Sequence, residues 1–110
     1  MADLEINVLE VKRKLDAAEP LVLLDCREPF EYDLCRIEGA ELIPMNTIPQ
    51  RLAEVERLTD RGQLVVYCHH GMRSLNVANW LRQQGVDNVV SMTGGIESWS
   101  VQIDRLVPRY

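Results

Sequence analysis

Three short stretches of the chain are apolar at every position: Leu21-Val22-Leu23-Leu24, Leu64-Val65-Val66-Tyr67 and Val89-Val90. Continuous runs of this length, rather than alternating ones, suit strands buried on both faces, as in a parallel sheet. Between them the apolar residues recur at three- and four-residue spacings. Val8, Val11 and Leu15 predict a helix over 8–18, and Ile48, Leu52, Val55 and Leu58 a second over 48–58. Val77, Ala78, Trp80 and Leu81 predict a third over 74–84, with Gly85 as its C-terminal cap. A last helix is expected over 95–104. Turns are marked by Asp60-Arg61-Gly62, Gly85 and Gly94-Gly95. Strands alternating with helices predict an α/β fold, with a central, mainly parallel sheet flanked by helices on both faces. No internal repeat, low-complexity tract or Gly/Pro/Ser-rich linker breaks the pattern, so residues 1–110 are expected to form a single domain.

Composition narrows the function classes. With 110 residues, 46% hydrophobic and 26% charged, the chain can bury a modest core without disulfides. A net charge of -5 and the absence of a Lys/Arg cluster argue against a nucleic-acid partner. The apolar runs are far too short to span a bilayer, so no membrane role is expected. The start, Met1-Ala2-Asp3-Leu4-Glu5, does not read as a signal peptide, and a cytoplasmic location is the expectation. The three cysteines, Cys26, Cys35 and Cys68, are odd in number and show no C-x-x-C spacing, which speaks for free thiols.

In open parallel sheets the functional crevice lies beyond the carboxyl ends of the strands. That rule singles out Asp25-Cys26-Arg27 and the segment Cys68-His69-His70-Gly71-Met72-Arg73-Ser74. The second runs from a strand into a helix opened by Arg73 and Ser74, and Gly71 lets it curl. Such a loop turns backbone N–H groups inward, and with the helix N-terminus they form an anion-binding nest. A cysteine at its rim, Cys68, should ionise at neutral pH and act as a nucleophile on sulfur, phosphorus or arsenic. Arg73 can add directed hydrogen bonds to an anionic substrate.

These residues resemble a rhodanese domain over nearly the full chain. Leu23-Leu24-Asp25-Cys26-Arg27-Glu28-Pro29-Phe30-Glu31-Tyr32 is similar to the family's first signature, a strand ending in Asp-x-Arg with an acidic-aromatic helix after it. Ile37-Glu38-Gly39-Ala40 resembles its I-x-G-A segment, Val65-Val66-Tyr67-Cys68 with Gly71 and Arg73-Ser74 its active-site loop, and Gly94-Gly95-Ile96 with Trp99 its closing motif. The resemblance implies a sulfurtransferase in which the Cys68 thiolate takes the outer sulfur of a small anionic donor such as thiosulfate. The sulfur then travels as a covalent persulfide, without a cofactor, to a thiol or a sulfur-carrier protein. In that reading His69, His70, Gly71, Met72, Arg73 and Ser74 form the substrate site. Related phosphatases place five residues between cysteine and arginine; here there are four, which suits one sulfur better than a phosphate. A phosphatase or arsenate reductase, and a non-catalytic module that binds a partner protein, stand as alternatives. The family's histidine before I-x-G-A is Arg36 here, expected to alter packing or surface charge. The ending from Trp99 to Tyr110 resembles the tail of rhodanese domains fused to adenylylating enzymes.

Other readings compete at single residues. Cys68 can be read as a buried core thiol, though the loop around it argues otherwise. For Cys26 and Cys35 packing is the expected role, and a resolving thiol the alternative. Asp25 and Arg27 read better as an ion pair tying the strand end to a neighbouring loop than as an acid and a substrate clamp. His69 and His70 fit solvated loop positions and substrate contact about equally. No metal is expected, because adjacent Cys68-His69-His70 cannot readily converge on one tetrahedral ion. Trp80 and Trp99 are expected in packing roles, and Glu54, Glu56 and Arg57 on a solvated helical face.

Overall fold

The computed structural model describes residues 3–110. Five strands, β1 (Glu5–Ile6), β2 (Leu21–Asp25), β3 (Glu41–Leu42), β4 (Gln63–Tyr67) and β5 (Val89–Met92), alternate with five helices. The helices are α1 (Val8–Asp16), α2 (Pro29–Leu34), α3 (Leu52–Leu58), α4 (Met72–Gln83) and α5 (Gly95–Gln102). The sheet runs β1-β5-β4-β2-β3, and every pairing is parallel.

The continuous apolar runs do what their pattern requires. Along β2 and β4, alternate residues face opposite sides of the sheet, and both sides are covered. Val22 and Leu24 with Leu64 and Val66 pack on one side against Val55 of α3 and Val77, Ala78 and Leu81 of α4. Leu23, Val65 and Tyr67 pack on the other against Val8 and Val11 of α1 and Ile96 and Trp99 of α5. The expected two-sided layering is therefore present. Among the described residues no helix is long and apolar enough to cross a membrane.

Local chemistry sets the element ends. Helix α1 starts where Asn7 Oδ1 accepts the Glu10 N–H at 2.8 Å. Helix α2 begins at Pro29, whose missing N–H is unneeded in a first turn. The helix expected over 48–58 is shorter than its periodicity suggests. Pro49 lies in a 3-10 turn, Pro49–Arg51, that follows another at Met45–Thr47, and regular α-helix begins only at Leu52. Proline fixes φ and offers no donor, so the segment tightens around it. Helix α4 opens two residues before the expected Ser74, directly after Gly71.

Candidate active site

Strands β2 and β4 are neighbours, so their carboxyl ends deliver Asp25-Cys26-Arg27 and Cys68-His69-His70-Gly71 side by side. The second segment is held from two sides. Gly71 takes φ +106°, a left-handed conformation open to glycine, and turns the chain directly into α4. From the next strand, α5 grips the same loop: Ile96 N–H donates to the Cys68 carbonyl at 2.9 Å and Glu97 N–H to the His69 carbonyl at 3.1 Å. That approach depends on Gly95, where a Cβ would overlap both of those carbonyl oxygens.

The result is a sulfur surrounded by donors. Cys68 is 1% exposed, and its Sγ accepts the N–H of Gly71 at 3.1 Å and of Ser74 at 3.3 Å. Ser74 Oγ lies 3.4 Å from the sulfur and 2.7 Å from Ser91 Oγ. The thiol is thereby lowered to about 5: the Cys26 thiol beside it contributes most, and the Ser74 hydroxyl and the N–H groups of Ser74 and Gly71 add to it, against burial. A thiol lowered in this way favours the thiolate at neutral pH. Beyond the sulfur, the N–H groups of His70, Met72 and Arg73 have no hydrogen-bond partner among the described residues. They are first-turn and loop donors, the kind of backbone groups that can bind an anion.

Arg73 borders these donors, but its guanidinium is engaged. Nη1 and Nη2 donate to Glu31 Oε1 and Oε2 at 2.8 and 3.0 Å. Arg73 in this arrangement lowers Glu31 to about 2, with help from the Tyr110 hydroxyl, which donates to Oε2 at 2.6 Å. The expected ion pair is formed at the end of β2. Asp25 and Arg27 are both 0% exposed, with Arg27 Nη2 2.6 Å from Asp25 Oδ2. Arg27 Nη2 also donates to the Cys35 carbonyl at 2.6 Å and Nη1 to Tyr110 Oη at 2.9 Å. The pair thus ties the strand end to the segment after α2 and to the C-terminal residues.

His70 is exposed, Met72 is 71% exposed, and both stand at the loop's outer edge. His69 differs: its ring stacks on Tyr110 at 3.8 Å between centroids. Burial, then the neighbouring His70, disfavour its charged form. Cys35 packs in the core on the side of α1 and α5, and Cys26 on the side of α3 and α4. Arg36 lies over the Tyr32 ring at 4.5 Å and donates to the Tyr32 carbonyl, a local surface contact. Trp99 is buried in the core on the α1 and α5 side, and Trp80 lies partly buried on the other. The site includes two residues that the sequence pattern did not single out as functional, Glu31 and Tyr110.

The model of the rhodanese-like domain matches residues 7–102. The chain belongs to the rhodanese family. This rhodanese is 32% identical to the thiosulfate sulfurtransferase GlpE of Pseudoalteromonas translucida, over 99% of its own length and 100% of that protein. It resembles the crystal structure of a rhodanese-related protein from Thermoplasma volcanium with a TM-score of 0.78 and 30% identity, covering 90% of this chain and 92% of that one. It is 30% identical, over 96% of its length, to the adenylyltransferase and sulfurtransferase MOCS3-2 of Zea mays, and covers 23% of that protein. The rhodanese chain spans only 25% to 50% of the length of other curated relatives it matches.

Proposed function

We propose that this chain is a sulfurtransferase that carries sulfane sulfur as a persulfide on Cys68. The observation that carries this reading is the Cys68 sulfur held at 3.1 and 3.3 Å by two loop N–H groups at the start of α4, with its thiol lowered to about 5. The thiolate attacks the outer sulfur of a thiosulfate-like donor. A new S–S bond forms to Cys68, the old one breaks, and sulfite leaves with the electron pair. The persulfide anion then sits among the unpartnered N–H groups of His70, Met72 and Arg73. His69, His70 and Met72 line the way in, Gly71 and Ser74 hold the sulfur, and Asp25 and Arg27 fix the neighbouring strand end. Arg73 supplies positive charge at the rim, tempered by Glu31. A thiophilic acceptor, a thiol or a sulfur-carrier protein, removes the outer sulfur.

The relative named for thiosulfate supports that donor, and similarity to the putative sulfur carrier protein YrkF of Bacillus subtilis, 32% identical over 87% of this chain and 50% of that protein, supports an acceptor from sulfur-carrier chemistry. The four-residue interval between Cys68 and Arg73 favours a single sulfur over a tetrahedral phosphate. The test is incubation with thiosulfate followed by intact mass. The protein should gain one sulfur, and Cys68→Ser should gain none. An equal gain in Cys68→Ser, or a wild type that neither gains sulfur nor forms a disulfide with release of sulfide, would overturn the reading.

A further inference from the structure

Cys26 lies beside Cys68 by the register of the sheet. Asp25 of β2 is the partner of Tyr67 of β4, and the ladder runs one step further, where Cys26 N–H donates to the Tyr67 carbonyl at 3.1 Å. Val22, Leu24 and Cys26 on one strand, and Leu64, Val66 and Cys68 on the other, all belong to the same core cluster. The two cysteines therefore follow an in-register pair and share one face of the sheet. Neighbouring strands lie about 4.8 Å apart. A disulfide needs its Cα atoms roughly 4.4–6.8 Å apart. Cys26 is 1% exposed, and its Sγ donates to the Tyr67 carbonyl at 3.4 Å. Each sulfur is the foremost influence on the other, lowering the Cys68 thiol and raising that of Cys26. The arrangement favours the charge on Cys68 and the proton on Cys26. Cys35 packs on the opposite face and takes no part.

We propose that Cys26 is the resolving thiol of Cys68, discharging a persulfide that finds no acceptor; this rests on the persulfide reading above. Cys26 Sγ attacks Cys68 Sγ, and a Cys26–Cys68 disulfide forms. The bond from Cys68 Sγ to the outer sulfur breaks. The outer sulfur leaves with the electron pair, receives the proton given up by Cys26, and departs as hydrogen sulfide. The sulfane sulfur is reduced to sulfide while the two cysteine sulfurs are oxidised, so no further oxidant enters. The site gives the step its direction. The Cys68 sulfur has the loop donors Gly71 and Ser74 around it and Cys26 beside it, just past the end of β2. The disulfide form is a parked enzyme that an external dithiol restores.

The experiment loads the full chain with thiosulfate, removes the donor by desalting, and follows intact mass and free sulfide without an acceptor. The wild type should pass from one sulfur heavier to two hydrogens lighter than the reduced chain. One equivalent of sulfide should be released, and peptide mapping should join Cys26 to Cys68. Cys26→Ala should keep the extra sulfur and release no sulfide, while Cys35→Ser should behave as the wild type. Cys26→Ser serves if Cys26→Ala folds poorly, and the wild-type peptide map needs no variant. A wild-type persulfide that persists, or a Cys26 variant that releases sulfide at the wild-type rate, would overturn the proposal. Failure to gain any sulfur in both the wild type and Cys26→Ala, with no disulfide and no sulfide released, is a separate observation that removes the sulfurtransferase reading, and this inference with it.

Discussion

Glu31 takes both arms of Arg73, at 2.8 and 3.0 Å, and so joins α2 to the first turn of α4. Because Glu31 also accepts from Tyr110, and Tyr110 accepts from Arg27, one chain of polar contacts runs from the end of β2 to the rim of the cysteine loop. Glu31 at its centre is only 5% exposed, while Arg73 and Tyr110 on either side are partly open to solvent.

That bridge should make stability depend on acid. Arg73 first, then Tyr110, hold the Glu31 carboxyl at about 2, below its ordinary 4.5. A carboxylate whose folded value is depressed stabilises the fold above its unfolded value, and that contribution is lost as pH falls towards the folded one. The window is therefore about pH 4.5 down to about 2. Glu31→Gln should be less stable at pH 7 by about 2 kcal/mol. Its stability should also fall less than the wild type's between about pH 5 and about pH 2.5. Urea unfolding at each pH measures both; parallel curves for the two proteins would sink the idea.

The thiolate state of Cys68 should be visible in its reactivity. The rate of alkylation by iodoacetamide, read at Cys68 by peptide mass, should rise with pH through a midpoint near 5 and then level off. An unperturbed thiol would show its midpoint at about 8.5. Ser74→Ala removes the hydroxyl that lies 3.4 Å from the sulfur but keeps the backbone N–H. Its midpoint should move up by about one unit. A wild-type midpoint above about 8 would show that the loop does not stabilise the anion.

Tyr110 makes a separable contribution. Its hydroxyl accepts from Arg27 and donates to Glu31, while its ring stacks on His69. Tyr110→Phe keeps the stack and loses both hydrogen bonds. Hydrogen bonds to charged groups contribute about 1.5–3 kcal/mol each, less where the site is partly open. Tyr110 is 40% exposed, so a loss of about 1–2 kcal/mol in chemical unfolding is expected. Unchanged stability would mean that water replaces the hydroxyl at no cost.

How much of this was legible in the chain differs by element. Strands β2, β4 and β5 announced themselves because burial on both faces demands unbroken apolar runs. Strands β1 and β3 have two residues each and carry no run to read. The loop from Cys68 to Ser74 was legible because strand, glycine and helix start are adjacent in sequence. Glu31 and Tyr110 were not, since they meet Arg73 and Arg27 across 42 and 83 positions, and no local spacing encodes that meeting. The pairing of Cys26 with Cys68 depends on which residue of β2 faces which of β4. Two featureless apolar runs do not specify that register; the fold does.

Gly95 provides the sharpest test that α5 shapes the cysteine loop. It sits at φ +60°, and a Cβ there would overlap the carbonyl oxygens of Cys68 and His69, which are backbone atoms with little freedom to yield. Gly95→Ala must therefore push the loop away from α5 and break the bonds from Ile96 and Glu97. Gly39 separates this effect from simple backbone strain. It has φ +86°, but a Cβ added there would meet nothing within 4 Å, so Gly39→Ala incurs only the conformational penalty, about 1 kcal/mol. Gly95→Ala should lose more, about 2–4 kcal/mol, and should also raise the alkylation midpoint of Cys68 as the N–H groups of Gly71 and Ser74 leave the sulfur. Gly39→Ala should leave that midpoint in place. Equal midpoints in the two variants would mean that the loop holds its shape without α5, and that the anion site is built by β4 and α4 alone.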